Sequence, residues 1–174
     1  MEAVTITYLE MCSPAALRPK EFPDSLVWVK EAVVKDWRFN RFLYTLVGAD
    51  WAWTDKLSWT DQQWRDYAEA QSLRTFIAYQ EGSVAGFYEL HREELGDVEI
   101  AIFGITPKFT GRGYGGALLT HALRSAWQMA PRRVWLHTCT LDHPAALPNY
   151  LARGMSIYKV EAQTAYHHAS ICTP

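Results

Sequence analysis

The chain has 174 residues, 49% hydrophobic and 21% charged, a balance that excludes a disordered chain and can fill the core of one domain over 1–174. Seventeen Lys and Arg against nineteen Asp and Glu give a formal net charge of −2 with no basic stripe, which argues against a nucleic-acid partner. No apolar run approaches the ~20 residues needed to span a bilayer, and the start "MEAVTITYLE" lacks the apolar stretch of a secretory leader. Cys12, Cys139 and Cys172 are odd in number and show no CxxC spacing, so neither a disulfide framework nor a thiolate zinc site is expected, and a reducing cytoplasm is.

Alternation over residues 4–10 predicts a strand, whereas 26–35 is ambiguous between strand and helix. Phe39, Phe42, Leu43, Leu46 and Val47 fall on one helical stripe that Gly48 is placed to end. Thr60, three residues before Gln63, is the capping-box pattern and opens a helix over about 60–70. Strands follow at 75–80, 84–91 and 98–106, separated by the turns "EGS" and "REELGD". The helix after 116 is expected to bury Leu118, Leu119, Ala122, Leu123, Ala126 and Trp127, with Thr120, Arg124 and Gln128 outside. A strand at 133–140, a short helix ending at Gly154 and a strand around 156–166 complete an α+β order with a mixed sheet. Pro144 and Pro148 place the start of that short helix near Pro148, because proline fits only a first turn.

The stretch "GRGYGG", 111–116, invites two readings. As G-x-G-x-x-G it is the dinucleotide fingerprint, which wants a strand running into the first glycine and an acidic residue about 20 positions on. Here Pro107 ends the strand early, "PKFT" intervenes, and the later segment "APRRVWLH" has no carboxylate, so the fit is weak. Taken whole, "VEIAIFGITPKFTGRGYGGALLTHAL" (98–123) resembles the acetyl-CoA-binding region of the GNAT superfamily of N-acetyltransferases. Its [Q/R]-x-x-G-x-[G/A] loop falls on Thr110, Gly111, Arg112, Gly113, Tyr114 and Gly115, with Gly116 following. Thr110 departs from the usual Gln or Arg. "NYLARGM" (149–155) resembles the family's Y-x-x-x-G-[F/M] segment, with Tyr150 35 residues after Gly115. Together these span about residues 75–158.

The resemblance implies a three-layer α/β/α GNAT fold: a mixed, mostly antiparallel sheet of six to seven strands, splayed at its central strands. It implies direct acetyl transfer from acetyl-CoA to an amine in a ternary complex, with no metal. Backbone N–H groups at 110–116 would cradle the pyrophosphate, since glycine lets the chain approach closely at a helix N-terminus. Backbone at Phe103, Ile105 and Thr106 would pair with the pantetheine arm as a pseudo-strand. His143 holds the place, seven residues before Tyr150, where the family often has a CoA-touching Asn. Glu99 matches the catalytic glutamate of the histone-acetyltransferase branch and is assigned as base; Tyr150 is the acid for the departing thiolate. Strand alternation puts Glu99, Ala101 and Phe103 on one face and Ile100 and Ile102 on the other. A turn centred on Glu94 would set Glu89 opposite Glu99, where a second carboxylate would raise one pKa and attract a cationic amine.

In "GADWAWTDKLSWTDQQW", Trp51, Trp53 and Trp59 beside Asp50 and Asp55 either wall an amine pocket through cation–π contacts or fill the core beneath a loop. His137, Cys139 and His143 are too few and too scattered for a zinc set, and His167 and His168 read as exposed tail residues. The expected activity is acetylation of a small-molecule or amino-acid-like amine by a monomer or homodimer. Acetylation of a protein N-terminus or lysine, and a non-catalytic acyl-CoA sensor, stay open as alternatives.

Overall fold

The computed structural model describes residues 4–51 and 53–163. Its elements in chain order are β1 (Val4–Met11), β2 (Val27–Glu31), α1 (Trp37–Gly48), α2 (Asp61–Ala68), β3 (Leu73–Gln80), β4 (Ser83–Arg92), β5 (Val98–Ile105), α3 (Tyr114–Gln128), β6 (Val134–Cys139), α4 (Ala146–Ala152) and β7 (Ser156–Gln163). Local chemistry explains most boundaries. Asp36 caps α1 by accepting from Arg38 N, and Thr60 and Gln63 make both bonds of the capping box that opens α2. α4 begins at Ala146, two residues before the expected Pro148, which sits in its first turn. His167, His168 and Cys172 lie outside the described residues. Cys12 is a free, exposed thiol. Cys139 is buried at the end of β6.

One seven-stranded sheet, ordered β2-β3-β4-β5-β6-β1-β7, runs through the molecule. Every pairing is antiparallel except β5 with β6. α3 and α4 cover one face, where Leu118, Leu119, Ala122, Leu123 and Ala126 pack on Leu90, Ile100, Val134 and Leu136. α1 and α2 cover the other, where Leu43, Tyr44, Val47 and Trp64 pack on Ile77, Phe87 and Ile102. Phe42 is 52% exposed, off the stripe assigned to it. Thr120 was expected outside and is buried, because its hydroxyl bonds to Gly116 O and accepts Lys20 N. That second bond belongs to the segment joining β1 to β2, which must cross the α3–α4 face to reach the far edge of the sheet.

Two irregularities position the site. Parallel pairing of β5 with β6 is confined to Val98↔Val134 and Glu99↔Trp135, so the later part of β5 leaves its edge open. The β4–β5 hairpin contains a bulge: Glu89 faces Ile102 and Leu90 faces Ile100, with Ala101 unpaired between them.

Candidate active site

The bulge corrects two expectations. Ile100 and Ile102 belong to opposite cores, so strict alternation fails across Ala101 and Glu99 does not share a face with Phe103. The hairpin turn closes through Gly96, at φ +91°, with Gly96 N bonded to Glu93 O, which centres the pairing on Leu95 rather than Glu94. Glu99 therefore stands opposite His91, whose Nδ1 lies 3.8 Å from its carboxylate, and Glu89 is displaced along the strand.

The open edge of β5 borders a cavity of about 410 Å³. Phe103, Gly104 and Ile105 form one wall, and Thr110, Gly111, Gly113, Tyr114, Gly115 and Gly116 form its end at the α3 N-terminus. Gly111 and Gly113 have φ near +80°, which a side chain would strain, and no atom lies within 4 Å of where a Cβ on Gly111 would sit. The rest of the lining includes Trp51, Trp53, Asp142, His143, Asn149 and Tyr150. Such a slot, with a free strand edge leading to a glycine turn at a helix start, fits an extended arm ending in a pyrophosphate.

Within this lining Tyr150 is buried edge-on to Phe103, and burial raises its pKa well above the usual phenol value, so it stays protonated. His143 Nδ1 accepts Ala145 N at 3.0 Å and its ring packs against Trp51. Trp53 is both core and cavity wall: it is 5% exposed and fills the space beside Gly104, where a Cβ would lie 3.0 Å from its ring. Two expected contacts fall outside the lining. Thr106 turns inward and donates to Val84 O and Ala85 O, and Arg112 lies over the Phe109 ring. Asp142 and Asn149 were missed. Asp142 accepts from Thr138 at 2.6 Å and from Cys139 N, and burial raises its pKa.

Glu89 and Glu99 do not line this cavity; they occupy a second cluster on the α1–α2 side. Glu89 is fully buried, accepting Asn40 Nδ2 at 2.7 Å and the Tyr67 hydroxyl at 2.5 Å. Burial raises its pKa against those bonds and the charge of Lys56. Glu99 is pushed up to about 7, chiefly by burial and then by Glu93, with Lys56 opposing. Lys56 itself, 9% exposed, was not singled out by the sequence. A lysine in a polar loop reads as solvated, and only the density of Trp and Tyr around it hinted otherwise. Among the described residues no three His, Cys, Asp or Glu side chains group as metal ligands, and no helix is long and apolar enough to cross a membrane.

The acetyltransferase (GNAT) family matches residues 31–155. The chain belongs to this family. The GNAT match takes in the open β5 edge, the glycine turn and Tyr150, and leaves β1 and β7 outside. No curated protein matches the chain. Among solved structures, a GCN5-related N-acetyltransferase from Sphaerobacter thermophilus superposes with TM-score 0.69 at 17% identity, over 93% of this chain and 51% of that one. Another from Kribbella flavida gives 0.63 at 17% identity, over 89% and 56%. A functionally unknown conserved protein from Staphylococcus epidermidis gives 0.64 at 15% identity, over 92% and 60%. At these identities the likeness is one of fold, and this GNAT chain spans only about half to three-fifths of the longer chains it matches.

Proposed function

We propose that this chain is an acetyl-CoA-dependent N-acetyltransferase acting on the primary amine of a small-molecule or amino-acid-like acceptor, as a single cytoplasmic domain. The observation that carries the reading is the open β5 edge, which runs into the glycine turn along one cavity while a buried carboxylate with a pKa of about 7 sits on the same strand. Acetyl-CoA supplies an acetyl group on a thioester that an amine lone pair can attack. Backbone groups at Phe103 and Ile105 bind and orient the arm, and the N–H groups of 111–116 face its phosphates. Trp51 and Trp53 line the cavity, and an aromatic wall of this kind supports a small acceptor over a shallow protein groove.

An ammonium has no lone pair, so the acceptor must lose a proton before it reacts. Glu99 takes that proton, directly or through one water, and its raised pKa matches the task near neutral pH. Tyr150 holds a proton at its hydroxyl for the departing sulfur; its raised pKa keeps that proton in place at every working pH. The test has two steps. Calorimetric titration is expected to give micromolar binding of acetyl-CoA and none of NAD, and a screen of amines is expected to find acceptor-dependent release of CoA. Glu99→Gln is then expected to lower kcat about 100-fold or more at neutral pH while leaving acetyl-CoA affinity within about twofold. An unchanged kcat would remove Glu99 from the role of base.

A further inference from the structure

Lys56 lies in the loop between α1 and α2, yet its ammonium is enclosed by aromatic rings from three directions. Nζ is 5.0 Å from the centroid of Trp59, 5.3 Å from Tyr67 and 5.7 Å from Tyr44. Such a box attracts a cation electrostatically but gives its N–H groups no acceptor, so charge balance must come from elsewhere. Burial lowers the Lys56 pKa, and against it Glu89 on β4, Asp55 in the loop and Glu99 on β5 favour the charged form; Tyr67, one of the three rings, donates its hydroxyl to Glu89. Beyond Glu99 stand His91 and Glu93. Among the described residues, Lys56 is the only lysine or arginine whose charge bears on either Glu89 or Glu99.

The two carboxylates are bonded differently. Both oxygens of Glu89 accept a hydrogen bond, one from Asn40 and one from Tyr67, and both bonds favour the ionised form against burial. A fully buried ion needs a counter-charge. Glu99 receives no hydrogen bond from the described residues, and His91 Nδ1 stands 3.8 Å from its carboxylate. We propose that Lys56 is a positioning residue for acetyl transfer: as the counter-ion of Glu89 it keeps that carboxylate ionised and confines proton exchange to Glu99. Without it, two buried carboxylates share one neighbourhood with no cation, and each holds its proton more tightly.

The kinetic arm of the test rests on the acetyl-transfer reading, and the spectroscopic arm does not. Protein carrying 13C-labelled glutamate is titrated from about pH 4 to 10 by infrared spectroscopy, each variant against its own Glu99→Gln counterpart so that the difference band reports Glu99. Lys56→Met is expected to raise the midpoint of that band by about one pH unit or more. The acid limb of kcat/KM is expected to move with it, read as roughly a tenfold loss below the limb and little loss above it. Lys56→Arg, which keeps the charge, is expected to leave both within about 0.3 unit. A folded Lys56→Met protein with the band and the limb unmoved overturns the assignment and returns Lys56 to packing. If Lys56→Met does not fold, Lys56→Gln is judged by the same two readouts. A band that moves in a protein that acetylates no amine supports the counter-ion role and counts against the acetyl-transfer reading; an unmoved band in an active enzyme does the reverse.

Discussion

Glu99 is held where its own ionisation works against the fold. Its ordinary pKa of 4.5 rises to about 7 in the native state, mainly through burial. Between those values the native chain holds a proton that the unfolded chain has released, so stability falls as pH rises through the window. Below about pH 4.5 both states are protonated and the penalty vanishes; above about 7 it is complete, on the order of 1–3 kcal/mol. Glu99→Gln, isosteric with the protonated acid, is therefore expected to be more stable than the native chain at pH 8 and indistinguishable from it at pH 4. Calorimetric unfolding at the two values checks this. A variant with no gain at pH 8 would show that the fold does not oppose the ionised carboxylate. The substitution expected to remove turnover is thus the one expected to strengthen the protein, a pattern that follows when a site and its scaffold compete for one side chain.

At the scale of elements, α3 does more than bury an apolar stripe. Its first turn is crossed by the β1–β2 segment: a Cβ on Gly116 would lie 2.8 Å from Lys20 Cδ and 3.1 Å from an Arg153 guanidinium nitrogen, and one on Gly113 would lie 3.7 Å from Lys20 Nζ. Two guanidinium nitrogens of Arg153 are buried with no hydrogen-bond partner among the described residues. Cationic groups converging on a helix N-terminus suit a polyphosphate, so Lys20→Ala is expected to raise the Kd for acetyl-CoA about five- to tenfold at low salt. That loss should shrink at high salt. Titration at two ionic strengths checks it, and an unchanged Kd at low salt removes Lys20 from the phosphate site. Neither Lys20 nor Arg153 was legible in the sequence, since nothing in "RPKEF" says which helix that segment crosses. What was legible shares a property: the capping box at Thr60, the stripe of α3 and the glycine turn each write their geometry within a few residues. The β4–β5 register was misread because a single bulge at Ala101 and a turn closed at Gly96 reverse which side chains meet, and neither has a strong local signature. Lys56 was missed for the same reason as Lys20: its surroundings come from α1, α2, β4 and β5.

Across the whole molecule, the position of β1 has the widest consequence. The first described strand does not lie at an edge; it is inserted between β6 and β7, pairing residues 6–11 with β6 and residues 4–10 with β7. Val4, Ile6, Leu9 and Met11 are buried there, and the Leu9 and Met11 side chains join the core that α3 completes. The family match begins only at residue 31, so a reading confined to matched residues would treat β1 as an appendage. Its pairing says otherwise. Without β1, β7 has no strand to pair with in the described sheet, and β6 loses its only antiparallel neighbour while its parallel contact with β5 is two residues long. β1 is thus part of what holds β6 and α4, with the Tyr150 wall, against the other half of the sheet. Amide hydrogen exchange is expected to place Ile6–Leu9 among the slowest classes, with protection comparable to the paired amides of β4 and β5. Removing residues 1–24 is expected to abolish cooperative unfolding rather than trim a tail. β1 amides that exchange within seconds while β4 and β5 stay protected would mean that the strand is loosely docked, and that the wall carrying Tyr150 is held by α3 and α4 alone.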